Sequence, residues 1–597
     1  MKRILTFFLL AALTVAGADA KIYKLTSPDR KTEVTVDAGR QIVWSVTHQG
    51  KEVLAPSAVS MTVDGKIIGQ EAKVKSARTE KVKQTVSSPL WRQASLTESY
   101  NQLTLELGDG WGLTFRAYDG EGVGYRFWST SVKKGACVTA ECAEFNFSRD
   151  YTTYVPYSTG TQNPYATSFE NQYTVAPLSA FHPDQPAFTP LLVCLDGGLR
   201  LEITDSDIEA YPGMFLRKGP GLSLKGDFAP VPEKVHETAT RGQVFVDEYS
   251  GKLAVIRENA SKKAPRYFPW RLLAIAGKDA DLPVNNLVWL TASPSRVKDI
   301  SWIKPGKVAW DWWNNTNISG VDFKSGMNTD TYLYYIDFAA KNNIEYIIID
   351  EGWSGKESLM ENLSPEIDLK RLIAYGREKG VGIILWSSWR NLIGSNPLND
   401  IAITDAVMKH YADMGVKGFK VDFFDRDDQQ VIASAYKIAE SAAKYHLYLD
   451  YHGLKPFGFQ RAYPNIFNFE GVKGLENSKW EPRAGDGPLH NQPRYDVIAP
   501  YLRMLAGPMD YTPGAMTNAM KNNFFGNNDH PMSQGTRVHQ MAMYTTFEAP
   551  LQMLADSPYA IYAESGVYRL HCPGAHDFRR DHRPRRTVGR IHRHSPS

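Results

Sequence analysis

Gly415-Val-Lys-Gly-Phe-Lys-Val-Asp-Phe-Phe-Asp-Arg-Asp-Asp-Gln429 is a strand-like run that ends in a knot of charge. The segment from Gly418 to Phe424 is apolar enough for a buried strand, and it delivers Lys420 and Asp422 to one end. Four carboxylates, on Asp422, Asp425, Asp427 and Asp428, then fall within seven positions. Like charges this close repel, so a strand end carries them only where they face a solvated pocket, cations or a metal. The next stretch, 429–445, has helical spacing. Strand, acidic turn and helix together point to an active site at the carboxyl end of a parallel strand. A solvated acidic loop is the plainer reading of the segment taken alone, and its neighbours decide between the two.

Working outward, similar apolar runs recur at 308–311, 346–350, 381–386, 447–450, 466–470 and 508–511, with a further one at 550–554. Helix-length stretches at 329–343, 368–379 and 401–414 separate several of them. Repeated strand-then-helix units imply a parallel sheet, and about eight in 250 residues fit a (β/α)8 barrel; a doubly wound sheet is the alternative. Asp311, Asp350, Trp386, Asp422, Asp450, Glu470 and Asp510 all close their runs. A barrel would gather them on one rim.

Upstream the texture differs. From 21 to 278 the chain alternates in short period-two runs broken by Gly, Pro, Asp and Asn, which predicts a large antiparallel β-sandwich. Residues 279–306 read as a linker, and 307–560 as the barrel. At 597 residues the chain is too long for one core. Residues 1–20 read as a secretory signal: Lys2 and Arg3, an apolar run, then Ala18-Asp19-Ala20 as a cleavage site. This predicts a periplasmic or secreted protein with no lipid anchor and no membrane insertion once the signal is removed. Residues 561–597 are Arg- and His-rich without apolar periodicity, and are expected to be a truncated or out-of-frame ending in place of a further domain. A net charge of +3 gives no global reason to expect nucleic acid. Four cysteines make no disulfide framework, although Cys137 and Cys142 could bridge a short loop.

The chemistry these residues allow is glycoside hydrolysis, which needs two carboxyl groups across the scissile bond, one protonated and one ionised. Asp422 is the nucleophile candidate, with Lys420 two residues back on the same strand face to keep it ionised. Glu470 and Glu476, spaced by Gly471 and Gly474, could converge so that one acts as general acid while the other binds a hard cation. Two exposed loop glutamates are the plainer alternative. Trp312, Trp353, Trp386, Trp389 and Trp480 lie beside these rims, where sugar faces stack on indole rings. His452 and Arg390 could each bond a hydroxyl or a carboxylate.

With these motifs in place the chain resembles glycoside hydrolase family 97. The resemblance rests on Ile203-Thr-Asp-Ser-Asp-Ile-Glu-Ala-Tyr-Pro-Gly-Met214, Ile349-Asp-Glu-Gly-Trp353, the Gly418–Gln429 stretch, Glu470-Gly-Val-Lys-Gly-Leu-Glu476, Asp510-Tyr-Thr-Pro-Gly514 and Leu554-Ala-Asp-Ser-Pro558. It implies an N-terminal β-super-sandwich, a central barrel and a smaller C-terminal β-domain, which is missing or garbled here. It also implies hydrolysis of terminal α-glycosidic bonds of an oligosaccharide or glycoside, with a calcium ion in the site. Asp422 matches the aspartate nucleophile of the retaining branch, which includes α-galactosidases. His452 stands where the inverting α-glucosidase branch carries a glutamate base. By the same matching Glu476 is the acid/base, Glu470 and Glu476 are calcium ligands, and Asp205 is the carboxylate lent by the sandwich, with Asp207 or Glu209 as alternatives. Asp311, Asp350, Glu351, Trp386, Arg390, Lys420 and His452 are expected to contact substrate. The rival expectations are an inverting α-glucosidase and a non-catalytic glycan-binding protein. A monomer or small homo-oligomer is expected.

Overall fold

The computed structural model describes residues 21–71, 73–160, 162–238, 243–355, 359–360, 363–393, 401–482, 489–558 and 561. The expected signal segment, and all of the expected basic tail but Ile561, lie outside them. Up to Ala276 the chain forms two large antiparallel sheets, of nine and ten strands. Thr32–Ala38 shows why: its side chains alternate buried and half-buried along the whole strand, with Val34 and Val36 pointing into the core. Ile42, Trp44 and Val46 meet them from the next strand, and Phe115 and Tyr125 pack on Trp44 from the other sheet.

Cys137 and Cys142 are both free thiols and lie on one strand, Cys137–Asn146. Five residues of extended chain separate their Cα atoms by roughly 16 Å, far beyond disulfide reach. The expected loop bridge is therefore absent. The linker region is not loose either. It carries a helix, Leu287–Thr291, all five residues of which are buried against the sandwich.

The barrel strands are β1 (Gly306–Trp310), β2 (Tyr346–Ile349), β3 (Gly382–Ser388), β4 (Gly418–Asp422), β5 (Tyr448–Tyr451), β6 (Ile466–Phe469) and β7 (Leu551–Leu554). All six ladders are parallel, and β7 pairs with β1. The strands are buried on both faces because helices cover the outside. These include α1 (Thr329–Lys341), α2 (Leu369–Lys379), α3 (Ile401–Met414) and α4 (Gln429–Lys444). Each of α1, α2 and α4 starts at a side-chain cap, from Asn328, Asp368 and Asp428 respectively.

The expected strand at 508–511 is not one, so the ladder has seven strands rather than eight and stays open between β6 and β7. Residues there still bridge the gap: Met509 N donates to Glu548 O at 2.9 Å and Asp510 N to Phe469 O at 2.9 Å. Asn468 closes the seam with its amide, which donates to Leu551 O at 2.7 Å and accepts from Leu551 N at 3.3 Å. Pro508 has no N–H for a ladder, and Gly507 and Thr512 adopt positive φ on either side, which ends regular pairing.

Candidate active site

At the end of β4 the Asp422 carboxylate accepts two N–H bonds, from the Trp386 indole at 2.9 Å and from Phe423 N at 2.7 Å. Phe423 and Asp425 sit in the left-handed region, at φ +63° and +42°. For a bulky aromatic that conformation is strained by about 1 kcal/mol or more. The strained turn aims Asp422 and directs the following acids elsewhere. Asp428 caps α4 and pairs with Arg426 at 2.6 Å, and Asp427 lies buried near Lys455, burial pushing it up to about 6. Only Asp422 and Asp425 of the acidic knot remain to face the site.

Lys420 does not pair with Asp422. Its ammonium donates to Asp350 Oδ2 at 2.8 Å over the Trp310 ring, and the Trp310 indole donates to the same oxygen at 2.7 Å. Burial alone would lower the Lys420 pKa, but Asp350, Asp422 and Glu476 hold it well above its usual value. Asp422 thus feels Lys420 as a nearby charge rather than as a bonded partner. Burial would likewise raise Asp350, yet Lys420 and its hydrogen bonds keep it below the ordinary carboxylate range. Asp311 lies deeper: it accepts from the Tyr332 hydroxyl and from Asp350 N at 3.3 Å, its other oxygen has no partner, and burial beside Asp350 pushes it up to about 7. It supports Asp350 from below and does not open onto the pocket. Glu351 follows Asp350 on the rim, its N–H donating to Asp350 Oδ1 at 2.8 Å. Arg390 forms an ion pair at 3.5 Å with Glu237 from a sandwich hairpin, Pro232–Glu237 and Val244–Tyr249.

Glu476 accepts from the Trp312 indole at 2.7 Å, and burial raises its pKa against the opposing pull of Lys420 and Lys479. A carboxyl group raised by burial and a second carboxylate held by N–H donors match the acid and nucleophile division that retaining glycosidases require. Glu470 accepts from Gly453 N at 3.0 Å. Burial raises it well above its usual value, helped by the charges of Glu170, Asp422 and Glu476, so these acids lie in one another's field.

His452 lies beneath them with both ring nitrogens committed, Nδ1 3.3 Å from Glu470 Oε2 and Nε2 2.7 Å from Asp510 Oδ2. Burial would lower its pKa, but Glu470 and Asp450 raise it well above the usual value, and the ring ties Glu470 to Asp510. Asp450, His452 and Asp510 bring one ligand atom each within 4.8 Å of one another.

Asp205 is spent inside the sandwich. One oxygen accepts from the Thr189 hydroxyl at 3.1 Å, and the other from Met214 N at 2.8 Å with Arg271 at 3.4 Å. Its alternatives are engaged as well: Asp207 with Arg126, Glu209 with Arg296. The acid that the sandwich brings to the barrel is Glu170, which accepts from Asn477 at 3.3 Å and is raised by burial and by Glu476. Sequence reasoning missed it because Ser168-Phe-Glu-Asn171 is an irregular segment with no strand or helix period. Glu170, Glu470 and Glu476 form an all-carboxylate group whose mutual repulsion a hard divalent cation would relieve. A pocket of about 410 Å3 opens beside Glu170, lined also by Ser168, Phe245, Asp425 and Asn477 but not by Glu470 or Glu476.

The rim tryptophans divide. Trp386 and Trp312 bond the two central carboxylates, whereas Trp353 and Trp389 are buried packing residues, Trp389 stacked on Phe424. Trp480 is 56% exposed.

Comparison with known proteins follows the same outline. The "Retaining alpha-galactosidase" of Bacteroides thetaiotaomicron is 42% identical over 586 residues, covering 96% of this chain and 85% of the relative. Among solved structures, a family 97 enzyme from Pseudoalteromonas sp. strain K8 in complex with acarbose superposes with a TM-score of 0.76 at 21% identity, over 92% of this chain and 83% of the other. A β-arabinopyranosidase superposes with a TM-score of 0.75 at 22% identity, over 92% and 85%. The family's "Glycosyl-hydrolase 97 N-terminal" description matches residues 25–294 and its "Glycoside hydrolase 97" description residues 310–472, and with this relative they show that the chain is a glycoside hydrolase belonging to family 97.

Proposed function

We propose that this protein is a calcium-dependent retaining α-galactosidase that releases terminal α-galactosyl groups from oligosaccharides. The observation that carries the reading is the pairing of Asp422, held by two N–H donors at the end of β4, with a Glu476 whose pKa is raised by burial. The likeness to the Bacteroides enzyme supports galactose as the sugar.

Asp422 attacks the anomeric carbon while the bond to the leaving oxygen breaks, and Glu476 gives that oxygen its proton. The ionised Glu476 then takes a proton from water, which attacks the same carbon. The ester bond to Asp422 breaks, and galactose leaves with its α configuration retained. Lys420, fixed on Asp350, keeps positive charge beneath both acids. His452 orients Glu470 from below and occupies the place where an inverting enzyme would need a base. Glu170, Glu470 and Glu476 would hold the calcium ion, which supplies positive charge to a pocket crowded with carboxylates.

The leader-like residues 1–20 support export to the periplasm or beyond. No described helix is long and apolar enough to cross a membrane.

Proton NMR of the anomeric signal during hydrolysis of p-nitrophenyl α-galactoside tests the reading. α-Galactose should appear first and mutarotate afterwards, and chelation of calcium should stop its release. First appearance of the β anomer would mean inversion and remove Asp422 as nucleophile. In Asp422→Gly, added azide should restore cleavage and give β-galactosyl azide; hydrolysis unaltered by the substitution would sink the assignment.

A further inference from the structure

Between the sandwich and α4 of the barrel opens a cavity of about 870 Å3. Its barrel wall includes Ala433, Tyr436, Lys437 and Glu440, about one to three helical turns along α4 from Gln429. None of Asp422, Glu470, Glu476 or Glu170 lines it. Its volume lies in the range of small-molecule sites.

Six arginines line this cavity, and their partners do not balance them. Arg296 takes Glu209, and Arg126 takes Asp207 at 3.4 Å. Glu98 accepts from Gln84, and the two remaining carboxylates, Glu258 and Glu440, are exposed. Arg266 spends one amino group on Glu209 O and Ala210 O, and its Nε is buried with no partner; the Nε of Arg126 is buried and unpartnered too. Arg257 is half-buried and has no hydrogen bond or ion pair among the described residues. Burial lowers its pKa, and the charge of Arg266 lowers it further. A guanidinium placed in this way is short of an oxyanion, which it binds through its planar fork. Beside it Tyr267 is 46% exposed and has the Arg126 guanidinium 4.1 Å from its ring centre. Ring faces beside fixed cations suit a pyranose that bears an acidic group.

From this juxtaposition we infer that the cavity is a second carbohydrate site, selective for a sugar carrying a carboxylate or sulfate, with Arg257 and Arg266 as its oxyanion ligands. It rests on none of the residues assigned to catalysis. It gives the enzyme a hold on acidic branches of a glycan whose neutral galactosyl ends enter the barrel.

The test is isothermal titration of the full chain with D-galacturonate, D-galactose and inorganic sulfate, at one fixed ionic strength. Galacturonate and galactose differ only at C6, so the pair isolates the oxyanion. Galacturonate should bind at least tenfold more tightly than galactose and should be displaced by sulfate but not by galactose. Arg257→Gln should weaken it at least fivefold, and Arg257→Lys should recover part of the loss. Equal affinity for the two sugars, or displacement of galacturonate by galactose, would overturn the site. Binding of sulfate without galacturonate would overturn its carbohydrate assignment. The displacement arms use the unaltered chain, so they decide the matter even if a substituted protein fails to fold.

Discussion

At the residue scale the site works by dividing like groups between unlike surroundings. Asp422, Asp350, Glu470 and Glu476 are all carboxyls, yet one is held by N–H donors, one is bound to an ammonium, and two are raised by burial. The Trp386 indole is the most specific of the supports. Trp386→Phe keeps the ring and removes one charged hydrogen bond, worth about 1.5–3 kcal/mol. We expect kcat/KM on p-nitrophenyl α-galactoside to fall roughly 10- to 100-fold by that arithmetic, with an unchanged unfolding midpoint; unchanged kinetics would show that the indole does not support Asp422. Asp311 makes a second, separable prediction. Its folded pKa of about 7 exceeds the unfolded value, so the folded state binds the extra proton. Its contribution therefore destabilises the fold as pH rises from about 4 to about 7. Asp311→Asn should flatten that fall, read as the difference between urea midpoints at pH 5 and pH 8 for the two proteins. A pH dependence equal to that of the parent would show that Asp311 is ionised in the fold.

The important element is the β4-to-α4 unit. Its strand places Asp422, its strained turn at Phe423 and Asp425 reverses the chain, and its helix begins on the Asp428 cap. Asp428 has a second duty, since its other oxygen neutralises Arg426, which is 2% exposed. Asp428→Ala removes a cap worth about 1 kcal/mol. It also strands a buried guanidinium, which costs about 3–5 kcal/mol. The two effects share one side chain, so an overall loss of about 3–5 kcal/mol is expected by chemical denaturation. Asp428→Asn, which retains an acceptor for the cap, should recover part of the loss. A loss below 1 kcal/mol would mean that Arg426 finds another acceptor.

At the scale of the whole molecule, the sandwich completes the barrel. Gln429 at the head of α4 exchanges three hydrogen bonds with Ala210 and Val255, and Gly213 N donates to Asp427 O at 2.8 Å, so the catalytic turn is pinned to the sandwich. Across the seam Arg92 reaches Glu548 at 2.6 Å and Asn285 O at 2.6 Å, and bonds Met504 O as well. Arg92→Ala should lower the temperature of the main calorimetric transition and broaden it, as the two parts lose a shared partly buried anchor. A single transition at the original temperature would show that the anchor adds nothing. Glu170→Gln tests the other cross-domain contribution: calcium retained after gel filtration, measured by atomic emission, should fall well below that of the parent. Undiminished calcium would remove Glu170 from the metal site.

The sequence alone determined the order of the parts, because period-two runs and strand-then-helix units are local signals. It also placed four of the barrel helices within a few residues, since their caps and apolar spacing are written in consecutive positions. The strand-end acids were legible for the same reason. What lay beyond it depended on groups distant in the chain. Asp205 carries the same carboxylate as Glu170, and only packing shows that Arg271, Thr189 and Met214 occupy the first while the second reaches the barrel. Lys420 sits two residues from Asp422 yet bonds Asp350 two strands away, because β2 and β4, on either side of β3, bring those side chains together over Trp310 inside the barrel. The missing eighth strand was settled in the same way, by Asn468 closing a gap that a prolyl nitrogen could not. Local pattern selects the elements; which charge meets which is decided by the burial that leaves each buried ion only the partners the fold has brought within reach.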